Sequence, residues 1–297
     1  MIKLIFTCVC ILFSLPGFAR NYKAIEKQLQ AYVRDKDARI GVAVVANDGK
    51  MFGVNMHKAF PMMSVMKFPL ALAVTEIARE REYALSDSIT VHAAQLHTDT
   101  YSPMLRKYSP EKDHRITLIE LLNYSLSDSD NNACDILMEW IGGAVVVDDY
   151  LKKSGAKEIH VKWNEHAMHT DLSRCAENSS TPHAMAVLVD WFDRCCNDSD
   201  ATTVKQIMES CKTGTDRLAK PFLATAAIVG HKTGTGDTIG NRIMAVNDVG
   251  YIRLPDGNRY VIAVFVADSG YSFEETSAII ASVSDIVWKG ISVLKTL

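Results

Sequence analysis

Ile40-Gly41-Val42-Ala43-Val44-Val45-Ala46-Asn47-Asp48-Gly49-Lys50-Met51-Phe52-Gly53-Val54 reads as two strands around a tight turn. Ile40 to Ala46 is rich in β-branched residues, Asn47-Asp48-Gly49 is a turn signal, and Met51 to Val54 resumes an extended pattern. A lone hairpin is marginal in water and must join a larger sheet. No other convincing strand follows until Ala226. From Ser64 to about Ser210 the apolar spacing is helical, with helices expected over 65–80, 117–126, 131–141, 145–153, 182–196 and 201–210. Strand patterns return at Ala226–Lys232, Met244–Leu254 and Arg259–Ala267, and Pro255-Asp256-Gly257-Asn258 turns between the last two. The economical assembly sends the hairpin back to these three strands. An α/β (α+β) fold follows: a five-stranded, mostly antiparallel sheet flanked by helices, with an inserted all-α lobe. Amphipathic helices over 22–34 and from about Phe273 to Leu294 would cover the sheet, because a sheet face must be buried. The boundaries implied are 20–60 plus 212–297 for the α/β domain and 61–211 for the all-α domain. Within the latter, about 160–181 lacks periodicity and reads as an Ω-like loop, a length that favours a functional segment over a connector.

The 297 residues are 48% hydrophobic and 23% charged with net charge −3, enough for a sizeable core. Near-neutrality gives no reason to expect nucleic acid or an anionic membrane surface as partner. Residues 1–19 stand apart. Met1-Ile2-Lys3 is basic, Leu4 to Leu15 is apolar, and Pro16-Gly17-Phe18-Ala19 offers small residues for cleavage. This is a secretory signal peptide, too short and wrongly flanked for a membrane anchor, so cleavage after Ala19 and export to the periplasm are expected. No other stretch reads as long and apolar enough to span a bilayer. Cys8 and Cys10 would leave with the signal. Cys134, Cys175, Cys195, Cys196 and Cys211 remain, an odd number without zinc-site spacing, so free or buried thiols are expected and no metal or cofactor is implied.

The chemistry begins at Met63-Ser64-Val65-Met66-Lys67. On a helix, residues three apart share a face, which brings the Ser64 hydroxyl and the Lys67 amine together. A serine hydroxyl needs a base, and a lysine serves as one when burial or neighbouring cations lower its pKa. The apolar run Phe68 to Val74 would hold the pair in a partly dry place. Pro69 removes the N–H that would bond the Val65 carbonyl and should distort the first turns. Ser129-Asp130-Asn131 opens a further helix. Lys232-Thr233-Gly234-Thr235 ends a strand, where backbone N–H groups face a ligand and Gly234 permits close approach. Each motif alone has an ordinary structural reading as a cap or a turn.

S-x-x-K, S-D-N and K-T-G in this order form the signature of class A β-lactamases and penicillin-binding proteins. The chain therefore resembles a class A serine β-lactamase over essentially its whole mature length. It is most similar to the cephalosporinase branch of PER- and CfxA-like enzymes, on Tyr101-Ser102-Pro103, Ser129-Asp130-Asn131-Asn132-Ala133-Cys134-Asp135 and His231-Lys232-Thr233-Gly234-Thr235-Gly236-Asp237. The fold that the resemblance implies, serine β-lactamase/DD-peptidase-like, agrees with the strand count.

The resemblance also implies roles. Ser64 would attack the β-lactam carbonyl, Lys67 would help deprotonate it, and Ser129 would pass a proton to the departing nitrogen. The backbone N–H groups of Ser64 and Thr235 would form an oxyanion hole. Asn131 would bind the substrate's side-chain amide. Lys232, Thr233, Thr235 and Arg217 would meet its carboxylate, and Tyr101 would line the entrance. Glu165, in Trp163-Asn164-Glu165-His166-Ala167-Met168-His169, stands where the family has the base that activates the deacylating water. Met168-His169 replaces the commoner Leu-Asn, which passes the holding of that water to His169. Whether Lys67 or Glu165 is the acylation base is left open. Met63 stands where carbapenem-hydrolysing relatives often carry cysteine, which disfavours carbapenem hydrolysis; resemblance to the cephalosporinase branch alone implies cephalosporins, with penicillins, as substrates of a monomeric enzyme without metal. The alternative is a DD-peptidase or β-lactam sensor that holds its acyl-enzyme; Glu165 argues against it. A binding protein with inert motifs is disfavoured because every reacting residue is present.

Overall fold

The hairpin forms as read, and it is the outer part of the main sheet. The computed structural model describes residues 22–293, so the signal-like segment 1–19 lies outside the described residues. β1 (Arg39–Ala46) and β2 (Met51–Val54) pair antiparallel, and Gly49 takes φ +80° at the turn, a conformation an L side chain resists. Next in sequence come β3 (Phe60–Pro61), β4 (Ser88–Val91), β5 (His114–Thr117), β6 (Ile159–His160) and β7 (Ser179–Ser180). The C-terminal strands are β8 (Ile228–Thr235), β9 (Thr238–Ile239), β10 (Arg242–Arg253) and β11 (Arg259–Ser269). The sheet runs β2-β1-β11-β10-β8, with β9 as a short extra strand on β10. The five expected strands are there, and all of these pairings are antiparallel.

The expectation of no strand between Ser64 and Ser210 is corrected. β4 pairs with β5, and β7 pairs with both β3 and β6. These strands span only two to four residues, too short for a period of two to register in the sequence. Their consequence is functional, since β6 and β7 close the neck of the 160–181 loop.

The helices are α1 (Tyr22–Arg34), α2 (Lys67–Glu80), α3 (Leu118–Leu126), α4 (Asn131–Ile141), α5 (Ala144–Lys153), α6 (Glu165–Thr170), α7 (Pro182–Cys195), α8 (Ser199–Glu209) and α9 (Phe273–Val293). Side-chain caps set several starts. Thr117, Asp130, Asn164, Thr181 and Asp198 each accept a backbone N–H three residues on. The loop read as irregular contains α6 and a 3₁₀ turn at Leu172–Ala176. Six helical residues are too few to show a 3.6-residue period.

Both faces of the sheet are buried. Val42, Val44, Ile262, Val264 and Val266 face α1 and α9, packing with Leu29, Ile280, Val283 and Val287. The alternate residues Ala43, Val45, Ala263 and Phe265 share an unbroken core with the helical segment, including Phe68, Leu122, Leu137 and Phe192. α9 also corrects the reading that no further stretch could span a bilayer. By length and composition it could, yet half of its most apolar window is buried in the protein. Cys134, Cys175, Cys195, Cys196 and Cys211 are all free thiols.

Candidate active site

Ser64 lies in a 3₁₀ turn, Met63–Met66, and Lys67 is the first residue of α2. The expected helix over 65–80 therefore starts two residues late. Pro69 consequently falls in the first α-helical turn, where a missing N–H costs little. The turn is strained and clamped. Met63 takes φ +50°, unusual for a residue with a side chain. Buried Asn247 of β10 donates from Nδ2 to the Pro61 and Met62 carbonyls at 2.8 and 3.1 Å. A methyl group on Gly234 would lie 2.5 Å from the Met62 carbonyl and 3.2 Å from Val65 N. The close approach this glycine permits is thus first to the chain's own Met63–Met66 turn. We expect Gly234→Val to push β8 off that turn, lowering kcat/KM ~100-fold, since a displacement of about 1 Å at a reacting centre can cost that much. Melting temperature and steady-state kinetics check it; unchanged kinetics would remove the constraint.

Three side chains from two distant segments converge on one point. Lys67 Nζ donates to Ser64 Oγ at 3.1 Å, and Ser64 Oγ donates to Glu165 Oε1 at 3.1 Å. Lys67 Nζ also stands 2.9 Å from Glu165 Oε1. Its remaining donors reach the Ser129 carbonyl at 2.8 Å and Asn131 Oδ1 at 2.7 Å. Burial pushes the Lys67 ammonium down, but the Glu165 carboxylate, together with smaller contributions from Cys134 and Asp130, holds the pKa above the ordinary lysine value. This differs from the lowered value expected of a lysine base. The expectation considered burial and cations but not the counter-ion that Glu165 supplies from a distant loop.

Lys232 is fully buried and donates to Ser129 Oγ at 2.9 Å and to the Thr233 carbonyl at 2.8 Å. Burial, with the Lys67 charge, pushes its pKa down to about 7. Ser129 itself takes φ +59° at the start of α4, which turns its hydroxyl toward Lys232.

Above these groups is a cavity of about 480 Å³, lined by Ser64, Tyr101, Ser129, Asn131, Glu165, His169, Arg217, Thr233 and Thr235 among others. Lys67 and Lys232 lie just beneath its floor, both fully buried. All eleven residues singled out in the sequence are thus brought to one place. Arg217 is held rigidly, donating to the Gly234 and Asn247 carbonyls at 3.1 Å each and to Thr235 Oγ1 at 2.7 Å. Thr233 Oγ1 bonds Thr213 Oγ1 at 2.6 Å. Asn131 Nδ2 donates to Thr100 Oγ1 at 2.9 Å, and Tyr101 is exposed at the rim. His169 also lies at the rim. Its Nε2 is 4.0 Å from Asp99 Oδ2, and among the described residues no hydrogen bond joins it to Glu165.

Three supporting carboxylates were not singled out in the sequence. Asp135, on α4, accepts the backbone N–H groups of Glu165 and His166 at 2.7 and 2.8 Å, fixing the start of α6. Burial and the neighbouring Glu165 charge push its pKa up to about 7. Asp130 caps α4 and also accepts from Ser102 Oγ and Met104 N, tying the rim to the S-D-N turn. Asp99 faces His169. Asp130 and Asp135 stood inside the quoted S-D-N run, but nothing in their spacing marked them as tertiary acceptors.

The Beta-lactamase enzyme family matches residues 24–291. A β-lactamase of Bacteroides uniformis is 36% identical over 288 residues, covering 96% of this chain and 95% of that protein. The extended-spectrum β-lactamase PER-1 of Pseudomonas aeruginosa is 33% identical over 287 residues, covering 95% and 92%. The crystal structure of a class A β-lactamase from Bacteroides cellulosilyticus superposes with a TM-score of 0.86 at 39% identity, covering 91% of this chain and 98% of that one. With Ser64, Lys67 and the loop carboxylate Glu165 assembled on the fold those relatives share, the chain belongs to the class A serine β-lactamases.

Proposed function

We propose that the chain hydrolyses the β-lactam amide of cephalosporins and penicillins through an acyl-enzyme on Ser64, with water activated by Glu165. The observation that carries this reading is the Ser64, Lys67 and Glu165 triangle at the cavity floor, with contacts of 2.9 to 3.1 Å. In acylation Ser64 Oγ bonds to the lactam carbonyl carbon and its proton passes to the Glu165 carboxylate, the acceptor already in hydrogen-bond contact. Lys67, held as an ammonium, stabilises the alkoxide as it develops. The C–N bond breaks, and Ser129 gives its proton to the departing nitrogen. Lys232, bonded to Ser129 Oγ, favours that transfer in its protonated form, which predominates below its pKa of about 7. The N–H groups of Ser64 and Thr235 would receive the carbonyl oxygen; one such donor is worth ~3 kcal/mol. Before deacylation the proton held by Glu165 is relayed through Lys67 to Ser129, which restores the Glu165 carboxylate; a water then attacks the ester, Glu165 takes its proton, and that proton is returned to the departing Ser64 oxygen. The net change adds one water across the amide.

Recognition follows from the Arg217 cation and the hydroxyls beside it. Arg217, Thr233 and Thr235 form a positive, hydroxyl-bearing wall suited to the substrate carboxylate, with Lys232 buried behind it, and Asn131 suits its side-chain amide. The cephalosporin preference rests on resemblance to PER-like enzymes. His169 is assigned the deacylating water, in competition with Asp99 at 4.0 Å. His169→Ala should slow deacylation ~10-fold in single-turnover measurements; an unchanged rate ends that role. Residues 1–19 support export to the periplasm and cleavage after Ala19, with the enzyme acting there as a monomer.

The test is turnover of a chromogenic cephalosporin by the purified mature chain. Many turnovers per chain are expected. A single stoichiometric burst would make the protein a transpeptidase or sensor, and no reaction would make it a binder.

A further inference from the structure

We propose that His57, Glu158 and His183 form a Zn²⁺ site that clamps the neck of the 160–181 loop. One donor atom from each lies within 4.8 Å of the others. Two imidazoles and one carboxylate match the preferences of zinc, whereas Ca²⁺ and Mg²⁺ take oxygen donors. Tetrahedral zinc with bonds of ~2.0–2.1 Å needs donors roughly 3.4 Å apart. His57 and Glu158 are exposed, so rotation about their side-chain torsions can close the difference.

A second observation is independent of the donor set. His183 Nδ1 is shielded from solvent and makes no hydrogen bond. Buried polar atoms are almost always satisfied, and one left bare at a cluster of ligand atoms calls for a partner. Glu158 Oε2, at 3.9 Å, is too distant to be that partner by hydrogen bonding but stands where a shared ion would bridge the two.

The backbone that carries these side chains is already tied together. His183 N donates to the Met56 carbonyl at 3.0 Å, beside His57. Thr181 N donates to the Glu158 carbonyl at 3.3 Å, and Thr181 Oγ1 donates to Glu158 Oε2 at 3.2 Å, orienting the carboxylate as outer partners orient metal ligands. The His57 and His183 rings lie 4.7 Å apart. All three residues sit at one end of the β3-β7-β6 sheet: His57 just before β3, Glu158 just before β6, and His183 just after β7. An ion there would join both ends of the segment that carries Glu165 to the segment that leads to Ser64. Sequence spacing could not reveal it, because the ligands come from three separated stretches.

The site is separate from the hydrolytic cavity and does not depend on it. The test titrates Zn²⁺ into chelator-treated, dialysed mature protein, reading heat of binding and melting temperature, with His57→Ala and Glu158→Gln in parallel. The expected result is one saturable Zn²⁺ per chain, with a rise of roughly 5 °C at a hundredfold excess over Kd. Both variants should bind at least tenfold more weakly and lose the rise. No saturable binding in the parent protein overturns the proposal. So does binding that persists in either variant, which would put the ion elsewhere, for example at the exposed Cys195.

Discussion

Replacing Glu165 by alanine should leave a protein that is acylated by a chromogenic cephalosporin and then stalls. Two consequences of one deletion lead to this. The first is loss of the proposed base for the deacylating water, a general-base contribution of ~10²–10⁴ in rate. The second concerns Lys67. With Glu165 present, the carboxylate 2.9 Å away keeps the buried ammonium above its ordinary pKa despite desolvation. Without it, desolvation is opposed only by weaker, more distant charges, and the Lys67 pKa falls. A neutral amine 3.1 Å from Ser64 Oγ is then in place to take the hydroxyl proton. Acylation thus acquires a substitute base while deacylation does not. Rapid mixing should show a burst of about one equivalent followed by turnover ~10³-fold slower than the parent. Mass spectrometry of the quenched protein should find the added acyl group on Ser64. If neither burst nor adduct forms, Glu165 is the sole acylation base and Lys67 cannot replace it. If turnover continues at the parent rate, the deacylation role is wrong.

Why such an arrangement was partly legible follows from how each residue reaches the cavity. Ser64 and Lys67 are three apart on one helical turn, so local geometry alone relates them. Ser129 and Asn131 open a helix whose cap is plain in the sequence, and Lys232 lies within β8, which the β-branched pair Ile228 and Val229 begins. The sheet was legible for the same reason, since β1, β10 and β11 are long apolar runs with turns between them. Periodicity reports what one segment does and says nothing about which segments meet. Glu165 therefore came from family resemblance and not from pattern, and the counter-ion that reverses the Lys67 shift was missed with it. Asn247, which clamps the strained turn at Met63, and Asp135, which anchors α6, act through backbone groups far away in sequence. Short strands such as β6 and β7 draw their stability from pairing rather than from composition, so they too left no signature.

The same limit hid the strongest stability determinant we expect near the site, the buried pair beneath β8. His231 Nδ1 and the Asp248 carboxylate lie 2.9 Å apart, with exposures of 3% and 0%. Burial pushes the imidazole down, but the Asp248 charge and hydrogen bond carry its pKa up to about 10. Asp248 also accepts the Leu218 N–H at 3.1 Å. Removing one member of a buried pair leaves the other charged and unpartnered, at a cost of ~3–5 kcal/mol. His231→Ala should therefore lower the melting temperature by roughly 10 °C near neutral pH. The pH dependence has a definite sign. A histidine whose folded pKa lies above its unfolded value of ~6.5 contributes stability that is complete below that value. The contribution fades as pH rises from there and is lost as pH passes about 10. Parent and variant melting curves should consequently converge between pH ~6.5 and about 10. Asp248→Ala in the His231→Ala background should cost less than in the parent, because the two groups share one interaction. Curves that stay parallel across that range, or costs that simply add, would mean the imidazole is neutral in the folded protein. Lys232 neighbours His231 on β8, so the double variant also asks whether this pair holds the strand that carries the Ser129 partner. If it does, kcat/KM should fall together with the melting temperature in each single variant.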